Sequence, residues 1–152
     1  MTHPDESVDE ADTIPPLSAG YRALVADDDT QMRELVVGLL EMDGFSVTQA
    51  KSGDEMIQVL QRESFAEFPD EAFDIIVTDL RMPGASGLEV LSRLRIVGCA
   101  TPVIMVTAFP DETVRREAGL LNSMLLAKPF ALESLRYAVH FYTKLSRRHS
   151  RS

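Results

Sequence analysis

The chain has 152 residues, of which 45% are hydrophobic and 26% are charged, a composition typical of one globular domain with its own core. The net charge of −9 argues against a protein that coats nucleic acid or an anionic membrane by electrostatic attraction. The single cysteine, Cys99, excludes an internal disulfide and a thiolate metal cluster, and it predicts an inert thiol in a reducing cytosol.

The first twenty residues are predicted to form a disordered acidic tail. They contain five acidic residues, three prolines and no Lys or Arg, and they show no hydrophobic period. The start of the chain has no basic segment followed by an apolar run, and no window approaches the roughly 20 apolar residues of a membrane span. We therefore expect a cytoplasmic protein without a membrane segment.

Five short apolar segments alternate with five patterns of helical period along the rest of the chain. The predicted strands span residues 21–26, 45–50, 73–78, 103–106 and 124–127. The first helix is predicted to have Thr30 as N-cap, and the second to begin with a capping box from Ser52 to Glu55. The third is predicted to have Ser86 as N-cap. The fourth is predicted to have Pro110 in its first turn, and the fifth to span residues 132–147.

One connection inside the predicted domain is longer than usual, and a short tail follows the domain. Segment 64–71 is predicted to be a helix tail followed by a loop, because Pro69 cannot continue a regular helix. We expect one domain over residues 21–147 and a short basic tail over 148–152.

The fold class follows from the alternation of strands and helices. Successive strand–helix units require a parallel sheet with right-handed crossovers, and hence helices on both faces. The common order for five strands is 2-1-3-4-5, the doubly wound, flavodoxin-like arrangement. This order places the carboxyl ends of the first and third strands side by side.

Polar residues follow four of the five predicted strands. They are Asp27 and Asp28 after the first strand, Asp79 after the third, Thr107 after the fourth and Lys128 after the fifth. Carboxylates that converge at one edge repel each other unless a cation neutralises them, and Mg²⁺ is the expected cation because it prefers hard oxygen ligands. Aspartate can accept a phosphoryl group covalently, so the pattern predicts phosphoryl transfer to Asp79 with Thr107 and Lys128 binding the phosphoryl oxygens.

Four motifs in order resemble the receiver domain of two-component response regulators, in the CheY-like superfamily. They are Ala-Asp-Asp-Asp-Thr at 26–30, Thr-Asp-Leu-Arg-Met-Pro-Gly at 78–84, Val-Thr-Ala at 106–108 and Ala-Lys-Pro-Phe at 127–130. The resemblance covers about residues 21–145. It implies a receiver fold in which a sensor histidine kinase or phosphotransfer protein phosphorylates an aspartate, with Mg²⁺ as cofactor.

The resemblance also assigns roles to particular residues. It implies that Asp79 is the phosphoacceptor, that Asp28 is a direct metal ligand, and that Asp27 acts on the metal through water. The backbone carbonyl of Arg81 completes the implied metal ligands. The remaining assignments are Thr107 as the switch hydroxyl with the loop at Ala108, Lys128 as the phosphoryl-binding lysine, and a cis peptide bond before Pro129.

The chain departs from the family pattern at three places. Leu125 replaces the aromatic switch residue of many receivers, and Leu121-Asn122 replaces the usual Gly-Ala. Arg81 and Phe109, two residues after the acceptor and the threonine, are both large. In the resembled family these positions modulate the access of water to the phosphoryl group, so the resemblance implies slow autodephosphorylation.

The leading hypothesis is therefore a phosphorylation-operated switch, not an enzyme, whose output is contact with an unidentified protein target. Direct binding to nucleic acid is not expected. One alternative is an aspartyl-phosphate phosphatase-like enzyme that uses Asp27 as acceptor. Another is a flavin-binding module, which three acids after the first strand disfavour because they would repel its phosphate.

Tyr137 and Phe141 leave two interpretations open. They lie four residues apart on the last helix, away from its apolar stripe. Extra contact with the core is the favoured reading. The other is a partner surface, because members of the resembled family often form homodimers through the fourth helix, fifth strand and fifth helix. His3, His140 and His149 are scattered along the chain and are assigned no metal or catalytic role.

Overall fold

The computed structural model describes residues 20–63 and 72–151, with side chains described as far as residue 144. Five strands and five helices alternate within these residues, as predicted. The strands are β1 (Arg22–Ala26), β2 (Ser46–Ala50), β3 (Ile75–Asp79), β4 (Val103–Thr107) and β5 (Met124–Ala127). The helices are α1 (Thr30–Met42), α2 (Gly53–Glu63), α3 (Gly87–Ile96), α4 (Glu112–Leu120) and α5 (Leu132–Arg151).

The strands form one parallel sheet in the order β2-β1-β3-β4-β5, which confirms the predicted topology. Strands β1 and β3 are direct neighbours, with Ala26 paired to Thr78. Strand β3 also pairs with β4, so that Asp79 lies opposite Val106. The carboxyl ends of β1, β3 and β4 therefore lie side by side at one edge of the sheet.

Alternate residues of each central strand pack into two separate apolar clusters, one on each face of the sheet. Ala23, Val25 and Val77 pack with α1 and α5, whereas Leu24 and Ile76 pack with α2 and α3. Every residue of β3 and β4 is buried. Helices thus cover both faces of the sheet, which is the reason that its central strands are continuous apolar runs.

Two predicted helix starts are wrong by one or two residues. The N-cap of α1 is Asp29 and not Thr30, because the Asp29 side chain accepts a hydrogen bond from the Met32 N–H at 3.2 Å. The N-cap of α4 is Asp111, which accepts from the Val114 N–H at 2.9 Å and leaves Pro110 outside the helix. Both aspartates lie where a capping carboxylate also interacts favourably with the helix dipole.

Other boundaries agree with the predictions to within a few residues. Half of the capping box of α2 is present, because the Ser52 hydroxyl accepts from the Glu55 N–H. The Glu55 carboxylate accepts from the Lys51 N–H, one residue before the predicted donor. Ser86 caps α3 as predicted. Helix α5 continues to Arg151, four residues beyond its predicted end. The predicted tail over residues 1–19 and the predicted helix tail and loop over 64–71 lie outside the described residues.

The favoured reading of the aromatic pair on α5 is wrong. Tyr137 is 56% exposed and Phe141 is 61% exposed, so neither side chain is part of the core. They lie on the side of α5 that faces away from the buried residues Leu135, Ala138 and Val139. The core side of α5 is formed by other residues, among them Leu135 and Val139, which are fully buried.

The two positions near β5 that depart from the family pattern are both accommodated by ordinary local contacts. Leu125 is partly buried and packs against the cluster on the α2 and α3 side of the sheet. Leu121 is the C-cap of α4, and Asn122 follows it with a positive φ of 55°. Asparagine tolerates this left-handed conformation better than most residues, so it ends the helix where glycine is more usual. None of the described helices is long and apolar enough to cross a membrane.

Candidate functional site

Asp79 is the last residue of β3 and lies at the centre of the edge where the strands end. The strand is apolar and buried up to this point, and the Asp79 residue as a whole is only 8% exposed. A carboxylate at the end of a central parallel strand lies in the crevice where open α/β sheets bind ligands. The backbone N–H of Arg81 approaches Asp79 Oδ1 at 3.4 Å, at the long end of hydrogen-bond distances.

Three carboxylates converge beside β1 and β3. One oxygen each from Asp27, Asp28 and Asp79 lies within 4.8 Å of the other two, and we call these residues the acidic cluster. Asp27 is 3% exposed, whereas Asp28 is open to solvent. Asp29 does not belong to this cluster, and its side chain caps α1.

The Lys128 ammonium neutralises part of the charge of the acidic cluster. Its Nζ lies 3.1 Å from Asp79 Oδ2 and 3.5 Å from Asp27 Oδ2. The backbone helps to place this side chain, because the Lys128 N–H donates to the Thr107 carbonyl at 2.8 Å. The predicted cis peptide bond between Lys128 and Pro129 is present.

The pKa values of Asp27 and Lys128 both depart from their usual values. Burial raises the pKa of the Asp27 carboxyl to about 6, helped by the nearby charge of Asp79 and opposed by a hydrogen bond from the Asp29 N–H. For Lys128, burial alone would lower the pKa of the ammonium. The hydrogen bond and charge of Asp79, together with Asp27, raise that pKa above its usual value. The site therefore keeps its lysine charged while three acids compete for one cation.

Thr107 ends the neighbouring strand β4, and its side chain is almost completely buried. Its hydroxyl oxygen accepts a hydrogen bond from the Phe109 N–H at 3.1 Å, which shapes the loop through Ala108. Ala108 is exposed. A threonine hydroxyl that already has a backbone partner can rotate towards a new oxygen nearby, at the cost of releasing that loop contact.

Arg81 and Phe109 contact each other at the exposed rim of the site. The central carbon of the Arg81 guanidinium lies 5.3 Å from the centre of the Phe109 ring, within the range of a cation–π interaction. The ring itself is 63% exposed. The two residues that the sequence analysis considered separately therefore form one pair beside the acceptor.

Gly87 was not singled out from the sequence, although the structure gives it a role beside the acceptor. A Cβ atom at this position would lie 2.4 Å from the backbone carbonyl oxygen of Asp79, a distance that real Cβ atoms essentially never show. The Gly87 N–H also donates to the Leu80 carbonyl at 2.9 Å. A residue with a side chain could not let α3 begin so close to Asp79.

The start of α2 also contacts the loop after Asp79. The Asp54 carboxylate accepts from the Ala85 N–H at 3.2 Å, and the Gly53 N–H donates to the Pro83 carbonyl at 3.2 Å. A Cβ on Gly53 would lie only 1.7 Å from the Ala85 carbonyl oxygen. The sequence signal was a glycine at the first position of α2 and of α3, but only the structure shows which atoms lie against these two glycines.

The residues predicted from sequence are thus brought together in one place. Asp27, Asp28, Asp79 and Lys128 form a contiguous charged group, and Thr107 lies next to it at the end of β4. A model of the response regulator receiver domain family matches residues 23–140. This chain belongs to the response regulator receiver domain family. The doubly wound sheet and the cis-proline after Lys128 are those that the resemblance implied.

Curated relatives of this receiver domain are named as regulators. The chain is 37% identical over 116 residues to response regulator MprA of Mycolicibacterium vanbaalenii, a match that covers 75% of this chain and 46% of the relative. It is 32% identical to the alkaline phosphatase synthesis transcriptional regulatory protein SphR of Synechococcus elongatus, over 86% of this chain and 52% of the relative. The chain spans about half the length of these curated relatives.

Solved receiver structures share the fold. The receiver domain of the Francisella response regulator 1452 matches with a TM-score of 0.73 and 28% identity, covering 84% of this chain and 99% of that one. A CheY-like receiver domain protein from Methanospirillum hungatei matches with a TM-score of 0.75 over 87% of this chain and 99% of its own, at 20% identity. These comparisons give no support to the phosphatase or flavin-binding alternatives.

Proposed function

We propose that this receiver domain accepts a phosphoryl group on Asp79 from a sensor histidine kinase or a phosphotransfer protein and so operates as a signalling switch. The observation that carries the proposal is the position of the Lys128 ammonium, 3.1 Å from an Asp79 oxygen, beside three converging carboxylates. A buried acceptor with a fixed cation beside it suits a reaction that gathers negative charge at one point.

The acidic cluster fits a magnesium ion. Its donors are hard carboxylate oxygens, and one lysine cannot balance three acids at close range. Asp28 and Asp79 would hold the ion directly with the backbone carbonyl of Arg81, while Asp27 would act through water. The bound ion supplies charge neutralisation for the phosphoryl group and its donor.

Three residues of the chain would take part in the phosphoryl transfer. A carboxylate oxygen of Asp79 forms a bond to phosphorus as the bond from phosphorus to the donor's imidazole nitrogen breaks. The bonding pair leaves with that nitrogen, which takes up a proton. Lys128 pairs with a phosphoryl oxygen in place of the Asp79 oxygen that it now contacts, and the Thr107 hydroxyl donates to another phosphoryl oxygen.

The switch would follow from the change at Thr107. Its hydroxyl now accepts from the Phe109 N–H, and turning towards the phosphoryl group would release that contact and move the loop through Ala108. The loop leads directly into α4, so the face formed by α4, β5 and α5 would carry the signal. Exposed Leu120, Tyr137 and Phe141 on α4 and α5 make this face a candidate for homodimer formation or for binding a downstream protein.

Several further expectations belong to the same proposal. We expect a cytoplasmic domain that assists its own phosphorylation and dephosphorylation without acting on another substrate. We expect no direct contact of this domain with nucleic acid or membrane. The domain boundaries at residues 21 and 147 stay predictions, as does the role of each residue in the site.

The test is the intact mass of the protein after incubation with acetyl phosphate and Mg²⁺. The wild type should gain the mass of one phosphoryl group, Asp79→Asn should gain none, and Asp27→Asn should still be labelled, though more slowly. EDTA should abolish labelling of the wild type. A label that survives in Asp79→Asn and disappears in Asp27→Asn would reject the proposal in favour of the phosphatase-like reaction.

A further inference from the structure

Arg33 is a buried cation near the start of α1, and it lies directly behind the acidic cluster. It is 6% exposed, which is unusual for arginine unless its donors are engaged. Its Nη1 donates to the backbone carbonyl oxygen of Asp27 at 2.8 Å, and its Nε donates to the Gln49 side-chain oxygen at 3.0 Å. One buried side chain therefore connects α1, β2 and the turn that follows β1.

Asp27 is held at three atoms, of which Arg33 holds one. Its N–H donates to the Ala50 carbonyl at 3.1 Å, and its Oδ1 accepts from the Asp29 N–H at 2.9 Å. Its carbonyl oxygen accepts from Arg33. The fourth polar atom, Oδ2, is the one that faces the Lys128 ammonium at 3.5 Å. The direction of that oxygen follows from how the backbone of the turn is held.

We propose that Arg33 is a positioning residue for the acidic cluster, an inference that rests on the function proposed above. It acts through the Asp27 carbonyl, fixing the turn after β1 so that the carboxylates of Asp27 and Asp28 converge on Asp79. It need not touch the metal ion or the phosphoryl group. Removing its donors should weaken Mg²⁺ binding even when the space that it fills is kept.

Arginine is suited to this position because its guanidinium is planar and presents Nε–H and Nη1–H in a fixed geometry. Two donors can then reach a backbone carbonyl and an amide oxygen on different elements at once. A lysine carries the same charge on a single nitrogen and could keep only part of this arrangement. Arg33→Lys should therefore keep part of the contribution of Arg33 to Mg²⁺ binding, whereas Arg33→Met should keep only its packing.

The experiment measures the Mg²⁺ affinity of the full chain by titration calorimetry for the wild type, Arg33→Met and Arg33→Lys. Partners that orient metal ligands typically contribute about 10- to 100-fold to metal affinity. We expect a loss of about that size for Arg33→Met and a smaller loss for Arg33→Lys. Labelling of Asp79 by acetyl phosphate at a fixed, subsaturating Mg²⁺ concentration should slow in the same order.

Arg136→Met is the matched control. Arg136 also uses its guanidinium to contact a buried group, the Asp43 carboxylate, at the far end of α1 from the acidic cluster. Both methionine variants should unfold at lower urea concentration in EDTA. Only the change at Arg33 should reduce Mg²⁺ affinity, whereas Arg136→Met should bind the ion as the wild type does.

The outcomes separate this inference from the proposed function. A wild type that binds Mg²⁺ and is labelled on Asp79, with Arg33→Met equal to it in affinity, would overturn the role of Arg33 alone. A wild type that neither binds Mg²⁺ nor takes the label would overturn both. If Arg33→Met does not fold, the Arg33→Lys titration decides: weaker binding supports the inference and unchanged binding overturns it.

Discussion

At the scale of single residues, the site depends on close approaches that leave no room for substitution. Asp79, Lys128 and Asp27 lie within a few ångströms of one another, and Gly87 lets the backbone of α3 begin against the acceptor. The Asp27 and Asp79 carboxyl groups are nearly buried, so replacing either one changes both packing and electrostatics. Three predictions belong to this scale or the next.

The first prediction concerns the pair at the rim. The Arg81 guanidinium lies against the Phe109 ring. Under the proposed function, these two large side chains would obstruct water in line with the bond to phosphorus. Replacing them as Arg81→Asn with Phe109→Glu should shorten the lifetime of the phosphorylated protein about tenfold, which corresponds to about 1.4 kcal/mol in the barrier. The decay of the phosphorylated intact mass in the presence of Mg²⁺ measures this lifetime. If the wild type loses its phosphoryl group as fast as the variant or faster, the pair does not protect it.

The second prediction concerns Gly87. Alanine there would place a methyl group 2.4 Å from the Asp79 carbonyl oxygen, so Gly87→Ala should lower the free energy of unfolding by about 1–3 kcal/mol. Urea denaturation followed by circular dichroism measures this change. The control is Gly38→Ala in α1, where nothing lies within 4 Å of the added carbon. That variant should be more stable by about 0.5–1 kcal/mol, and equal effects of the two substitutions would contradict the explanation.

Sequence reasoning found the residues that the structure brings together at the candidate site, but it missed Arg33 and Gly87, which contact their backbone. The acids, the threonine and the lysine were predictable because each ends an apolar strand, and parallel strands end at one edge. Arg33 was missed even though it lies on the same side of α1 as buried Val37 and Leu40, four and seven residues later. That spacing was the available signal for a buried arginine. The role of Gly87 depends on a distance in space that no spacing in the chain encodes.

At the scale of elements, the capping residues of the helices decide where each one starts. Thr30 and Asp29 are both good N-cap types, and the sequence could not choose between them because the choice depends on which oxygen reaches the Met32 N–H. Similarly, Pro110 suits a first turn, but Asp111 beside it can satisfy a backbone donor and proline cannot. Predicted boundaries were therefore wrong where two neighbouring residues were both compatible with the same position.

A buried charged group joins the end of α1 to α5. The Asp43 carboxylate accepts from Arg136 Nε at 2.8 Å and Arg136 Nη2 at 2.9 Å, and it lies 2.9 Å from His140 Nε2. Burial would raise the pKa of Asp43, but the hydrogen bonds of Arg136 and His140 hold it below its ordinary value of 3.8. His140 therefore belongs to a structural contact between helices, in keeping with the absence of any assigned catalytic role.

The third prediction follows from the lowered pKa of the Asp43 carboxyl. A carboxyl whose pKa is lower in the folded protein stabilises it above the unfolded pKa, and the stabilisation is lost as the pH falls through the folded value. Asp43→Asn should therefore lower the free energy of unfolding at pH 7 by about 1–3 kcal/mol. The difference from the wild type should shrink below the ordinary pKa of 3.8. Urea denaturation at a series of pH values measures it.

The control for this series is a more exposed ion pair. Arg22 and Glu63 lie 3.1 Å apart with side chains 39% and 31% exposed. Because solvent screens such a pair, Glu63→Gln should change stability by less than about 1 kcal/mol at any of the pH values. A loss at Asp43 that does not depend on pH would show that the carboxylate charge is not the cause.

At the scale of the whole molecule, the candidate site lies at the carboxyl ends of the strands, and a separate surface on α4 and α5 exposes apolar side chains to solvent. Leu120 on α4 and Tyr137 and Phe141 on α5 are exposed apolar side chains on helices of the proposed α4, β5 and α5 face. The strand order was predictable because few topologies satisfy right-handed crossovers. The exposure of Tyr137 and Phe141 was not predictable, since it depends on which side of α5 packs against the sheet.

The fourth prediction is that phosphorylation promotes dimer formation through this face. Tyr137→Ser with Phe141→Ser should raise the dissociation constant of the phosphorylated dimer by at least about tenfold while leaving the labelling of Asp79 unchanged. Sedimentation equilibrium with and without acetyl phosphate measures this. Ile96→Ser is the control, because Ile96 is 79% exposed on α3, which packs on the opposite side of the sheet from α5. A phosphorylated wild type that stays monomeric would contradict this prediction.

The central claim is that Asp79 is the residue that carries the phosphoryl group. The most direct test is to phosphorylate the unmodified chain with acetyl phosphate and Mg²⁺, reduce the acyl phosphate with borohydride, and locate the reduced residue by peptide fragmentation. We predict that the reduced residue is Asp79, in the peptide that also contains Thr78 and Leu80. Reduction found at Asp27 or Asp28 instead, with Asp79 unchanged, would contradict the account.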